Sequence, residues 1–89
     1  MSARHQEDAK RLRADFLLTD LDTALTLLET AAVSREPATI RHARQKAQRA
    51  CTTVSRLLEE GRLSVGQRQE VAKKLAVVRD RLKRLGYEC

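Results

Sequence analysis

The stretch Phe16–Ala32, FLLTDLDTALTLLETAA, decides the fold. Its apolar residues recur at alternating spacings of four and three, which places them along one side of an α-helix. The members of this stripe are Leu17, Leu21, Ala24, Leu28 and Ala31. Leu18, Leu25 and Ala32 widen the stripe on one side. A stripe of this width predicts a helix that packs against two neighbouring helices at once.

The rest of the chain supplies those two neighbours. The sequence predicts helices at 3–33, 37–60 and 65–85 within a single helical domain, residues 1–89. Pro37 suits the first turn of a helix, whereas Gly61 and Gly86 stand where helices end in a left-handed residue. Ser64 and Gln67 have the spacing of a capping box. Because short connections make successive helices antiparallel, the predicted fold class is all-α, an up-down-up three-helix bundle with a long first helix.

Composition and charge describe a basic protein with an aliphatic core. Phe16 and Tyr87 are the only aromatic residues in 89, so the core must be built from Leu, Val, Ile and Ala. The formal net charge is +6, and its distribution is uneven. Residues 1–35 carry five Lys/Arg and six Asp/Glu, whereas residues 36–89 carry thirteen and six. This asymmetry indicates either an anionic partner or a set of solvated basic helix faces.

Targeting signals and cysteines indicate a cytoplasmic protein. The first residues, MSARHQEDAKRLR, are charged throughout and lack the apolar segment of a signal peptide. The longest apolar run, Leu75–Val78, has four residues, far fewer than a membrane span requires. Cys51 and Cys89, with no secretory signal, are expected to be reduced thiols.

The sequence has no pattern typical of catalysis or of metal binding. HExxH, CxxC and Gly-rich phosphate-loop motifs are missing, so we expect no enzyme activity, no metal and no cofactor. His42 offers one remote alternative, histidine phosphotransfer, because those helical domains carry an exposed His with a Lys nearby. Their motif places Lys three residues after His, followed by Gly. Here Gln45 stands at that position, with Lys46 and Ala47 after it, which favours a solvated surface histidine.

Two surfaces are candidates for binding a partner. An apolar face of the first helix is predicted to mediate protein–protein contacts or self-association into a homo-oligomer. Its residues are Phe16, Leu17, Leu18, Leu25 and Leu27. A basic patch on the second and third helices is the basis of an alternative, sequence-independent nucleic-acid binding. Its residues are Arg41, Arg44, Arg49, Lys73 and Lys74.

Three segments resemble small bacterial proteins of uncharacterised function. They are residues 47–54, AQRACTTV, residues 57–58, LL, and residues 63–70, LSVGQRQE. The likeness extends over roughly residues 14–85, and those proteins often have an aromatic residue where this chain has Cys51. They look like a tetratricopeptide-type helical hairpin with one further helix, although the Trp and Gly-Tyr signature of that repeat is missing here. The resemblance implies a cytoplasmic bacterial α-helical module that acts as a binder or scaffold.

Overall fold

The computed structural model describes the backbone of residues 2–88 and the side chains of residues 8–88. Its three helices are α1 (Ser2–Val33), α2 (Pro37–Glu59) and α3 (Val65–Arg84). Each differs by one residue, at one end, from the predicted ranges 3–33, 37–60 and 65–85. All three helices pack against one another, which confirms the predicted all-α three-helix bundle.

The bundle is elongated, 53 × 16 × 15 Å, because α1 is much longer than its neighbours. Its 32 residues span about 48 Å, whereas α2 and α3 span about 35 and 30 Å. Among the side chains described, the first buried one in α1 is Ala14. Residues 8–13 of α1 therefore contribute little to the core, which among the described side chains starts one turn before Leu17.

The core is aliphatic and draws on all three helices. Its buried members are Leu17, Leu21, Ala24, Leu28 and Ala31 of α1; Ala43, Ala47, Ala50, Cys51, Val54 and Leu58 of α2; and Val71, Leu75, Val78 and Leu82 of α3. The alanines of α2 let its axis approach the larger leucines of α1. In α2 the buried arc includes Cys51 and Leu58, whereas Leu57 is only partly buried. The arc is this wide because α2 contacts two helices.

Local signals in the sequence set the helix ends. Ser64 Oγ accepts a hydrogen bond from Gln67 N at 3.2 Å, and Ser64 N donates to Gln67 Oε1 at 3.1 Å, which completes the predicted capping box. At the other end of α3, Gly86 has φ +89°, and Tyr87 N donates to Leu82 O at 2.9 Å. This is a Schellman ending, in which a left-handed glycine lets the chain reverse and satisfy the last carbonyls.

Removing the cap of α3 should weaken the whole bundle. Ser64→Ala leaves the amide of Gln67 without its acceptor, and we expect a loss of about 1 kcal/mol in the free energy of unfolding. Thr52→Ala is the control, because the Thr52 hydroxyl bonds only to the Gln48 carbonyl of its own helix. Urea denaturation followed by circular dichroism measures both. Equal stability of the two variants would contradict a role for the capping box.

Candidate interaction surface on the first helix

The structure separates the five residues of the predicted apolar face. Phe16 is exposed, with 66% of its surface accessible, whereas Leu17 is only 1% exposed and belongs to the core. Leu17 therefore cannot contact a partner, and its placement in the interaction face is wrong. Leu18, Leu25 and Leu27 are partly buried against the core. Of the predicted set, Phe16 alone is a largely open apolar side chain.

The partly buried leucines border the two neighbouring helices. Asp22, on the flank of α1 that also carries Leu18 and Leu25, forms an ion pair with Lys74 of α3. On the opposite flank, near Leu27, Asp20 lies 3.5 Å from the Nζ atom of Lys46 in α2. Both leucine-bearing flanks thus line the seams of the bundle. The apolar stripe of α1 is wide because it covers two helices, and much of it is used in folding.

A second repeat runs along the side of α1 that faces solvent. Its eight residues alternate at spacings of three and four, carry no charge, and are all exposed. They are Ala9, Leu12, Phe16, Thr19, Thr23, Thr26, Thr30 and Val33. Leu12 and Val33 are 70% and 85% exposed. We call this set the outer face; it is about 36 Å long.

The threonines make the outer face more apolar than its composition suggests. The hydroxyls of Thr23, Thr26 and Thr30 each donate to the carbonyl four residues earlier, at 3.0, 3.1 and 3.0 Å. A threonine whose hydroxyl bonds back to its own helix turns its methyl group outward. These three hydroxyls are satisfied within α1, so a partner covering them need not supply hydrogen bonds.

Acidic residues border the outer face on the side of α3. They recur every seven residues and are all exposed: Asp8, Asp15, Asp22 and Glu29. We call them the acidic row. Between Ala14 and Ser34, α1 has no Lys or Arg. From Asp15 to Glu29 the outer face is therefore bordered on one side by negative charge, whereas Arg11 interrupts the row between Asp8 and Asp15.

The predicted basic patch is not one surface. Arg44 lies in the groove between α2 and α3, with its guanidinium 5.1 Å from the ring centre of Tyr87. Lys74 is turned towards α1 in its ion pair with Asp22. The two cations thus face different seams of the bundle. Arg41 lies one turn before Arg44 on α2.

Other members of that patch remain accessible. Arg41, Arg49 and Lys73 are exposed. Within the described part of the chain, six Lys and Arg side chains of α2 and α3 have no ion pair, hydrogen bond or ring contact: Arg41, Arg49, Arg56, Lys73, Arg81 and Lys83. Arg41, Arg49 and Arg56, spaced by eight and seven residues, lie along the outward side of α2, whereas Lys73, Arg81 and Lys83 are on α3. The unpaired positive charge is thus divided between two helices.

Side chains capable of chemistry are dispersed. His42 is exposed on α2, while Lys46, one turn later, is directed to Asp20 of α1. Over residues 8–88 no three His, Cys, Asp or Glu side chains converge in a way that holds a metal ion. None of the described helices has the length and apolarity needed to cross a membrane. Comparison with protein-family models, with curated proteins and with solved structures gave no match.

The outer face was missed at the sequence level for an identifiable reason. The leucine stripe of α1 has the larger side chains and dominates any search for helical periodicity. The second repeat is offset from it and contains four threonines, which count as polar in such a search. The signal in the sequence that identifies the outer face is the absence of charged residues at its eight positions between residues 9 and 33.

Proposed function

We propose that this protein is a non-catalytic helical module that binds another protein through the outer face of α1. The observation that carries the proposal is the outer face itself, eight uncharged and exposed residues that include the large apolar side chains of Leu12, Phe16 and Val33. Exposed apolar surface arranged along a helix is typical of sites that receive a partner helix or a hydrophobic edge.

The arrangement of polar groups supports a binding role over a catalytic one. No charged or polar side chain among those described is buried. Catalytic groups usually lie in partly desolvated clefts, where burial and neighbouring charges tune their acidity. Here His42 and the acidic row of α1 lie on exposed helix surfaces. Such surfaces suit the docking of a macromolecule.

A second candidate function is sequence-independent binding of nucleic acid. It is supported by the six basic side chains of α2 and α3 that have no internal partner. Phosphate contacts by Lys and Arg give affinity without base readout, and that affinity falls steeply with salt. This candidate is weaker than the first, because single-strand binding sites combine a positively charged groove with aromatic side chains that stack on bases, and α2 and α3 contain no Phe, Tyr or Trp.

Site-specific photo-cross-linking in the host cell distinguishes the two candidates. A benzophenone amino acid replaces Thr23, in the middle of the outer face, or Lys73, on the outward side of α3. Both positions are exposed, so each variant is the control for the other. We expect a discrete protein adduct from position 23 and none from position 73. An adduct from position 73 alone that is removed by nuclease would replace the first proposal with the second.

A further inference from the structure

We propose that the outer face receives an amphipathic helix whose apolar stripe is bordered by a row of Lys or Arg residues. This inference rests on the proposed function and identifies the chemistry of the partner. It follows from the acidic row, which runs beside the outer face for about 32 Å, from Asp8 to Glu29. A helix lying along α1 would place its own border residues against this row.

Most of the acidic row is not neutralised within the molecule. Asp22 forms its ion pair with Lys74. Asp8, Asp15 and Glu29 have no ion pair or hydrogen bond within the described residues, although Glu29 shares a small cleft with arginines of α3. Asp8, Asp15 and Glu29 are therefore exposed carboxylates that cations on a partner can reach. Arg11, one turn from Asp8 and from Asp15, is the one cation on the same border of the described helix.

The spacing matches that partner. Seven residues advance an α-helix by about 10.5 Å and return nearly to the same side. Cations at every seventh position of a second helix would meet Asp8, Asp15 and Glu29 in register. Charged residues beside an apolar seam select the partner and the orientation of paired helices, while the seam supplies the affinity.

A second copy of this chain is a poorer occupant. In an antiparallel pair related by a two-fold axis, each border of the outer face meets the same border of the other copy, so acidic row opposes acidic row. In a parallel pair the acidic row meets the opposite border, which carries Arg13, Asp20 and Leu27. On that border, Arg13 is the one cation available to the four carboxylates of the acidic row. Like charges placed together across an interface disfavour association.

Two designed helical peptides test the inference. Both have the same leucine and alanine stripe, and they differ only in having Lys or Glu at every border position. Each carries a fluorescent label, and its binding to the full chain is followed by anisotropy. The net charge of +6 favours the acidic peptide in non-specific electrostatic binding, so a preference for the lysine peptide requires a local acidic surface. Tighter binding of the lysine peptide by about tenfold at low salt is the expected result.

Paired variants locate the effect. Asp15→Asn with Glu29→Gln should remove the preference for the lysine peptide, whereas Glu59→Gln with Glu70→Gln, which neutralises two exposed acids elsewhere, should preserve it. Leu12→Ser with Phe16→Ser should abolish binding of both peptides. Equal binding of the two peptides, tighter binding of the acidic one, or a dimer of the unmodified chain that these serine substitutions break would overturn the inference.

These results are separable from failure of the proposed function. If the benzophenone at position 23 captures a protein and yet the lysine peptide is not preferred, the interaction surface stands and its charge selection is refuted. If position 23 captures nothing and neither peptide binds, both proposals fail together.

Discussion

Leu21→Ala is expected to lower the free energy of unfolding by about 2–5 kcal/mol. Leu21 is fully buried at the middle of the core stripe of α1, where its side chain fills the space between α2 and α3. Truncation removes apolar contacts and leaves a cavity that the surrounding helices only partly close. Small domains are stable by about 5–15 kcal/mol in total, so this loss is a large fraction of it. The melting temperature, followed by circular dichroism at 222 nm, should fall by roughly 4–8 °C per kcal/mol.

Leu12→Ala is the matched control for that variant. It makes the same change on the same helix, but Leu12 is 70% exposed. We expect a change of under about 0.5 kcal/mol, typical of surface sites. Similar destabilisation by both variants would mean that Leu12 is covered in the free protein, and the outer face would then not be available to a partner.

Ala47→Leu is the second large perturbation that we expect. Ala47 is fully buried. It is one of the small core residues of α2, the helix that packs against the leucines of α1. Three additional carbon atoms have no space there, and the helices must separate or adopt strained rotamers. The expected cost is about 1–3 kcal/mol, with poorer dispersion of amide signals in NMR spectra.

Ala76→Leu provides the comparison for overpacking. Ala76 is exposed in the middle of α3, and Leu and Ala have similar helix propensities. Stability should be nearly unchanged. If Ala47→Leu were equally neutral, tight packing of α2 against α1 at this position would be refuted, because only a loosely packed interface accommodates the larger side chain.

The architecture of the bundle was predictable because its signals are local. Pro37, the Ser64–Gln67 capping box and the glycines after α2 and α3 mark the helix ends within one residue. The spacing of Leu17, Leu21 and Leu28 identified the core side of α1. These features depend on only a few neighbouring residues.

The candidate surface was less predictable because it depends on which residues the neighbouring helices cover. Sequence spacing places Leu17 and Phe16 on adjacent parts of one helix, but only packing against α2 and α3 shows that Leu17 is enclosed and Phe16 is not. Likewise, Arg44 and Lys74 both lie outside the core stripes. Their contacts with Tyr87 and Asp22 in different seams of the bundle are a property of the assembled fold.

Under the proposed function, the long first helix has two roles that are divided between its two sides. One side, with Leu21 at its centre, holds α2 and α3 together. The other side, about 36 Å long, exposes methyl groups and apolar side chains and is bordered by carboxylates. Substitutions on the first side should act through stability, and substitutions on the second through binding.

The most direct test of the interaction surface is photo-cross-linking from position 23 with and without the outer-face substitutions Leu12→Ser and Phe16→Ser. Both serine changes lie on the outer face, leave the benzophenone in place and should leave the circular dichroism spectrum unchanged. We predict a discrete protein adduct from the chain with Leu12 and Phe16 intact and its loss from the doubly substituted chain. An adduct that persists in the substituted, folded chain, or no adduct from either, would contradict the proposal that this face binds a protein.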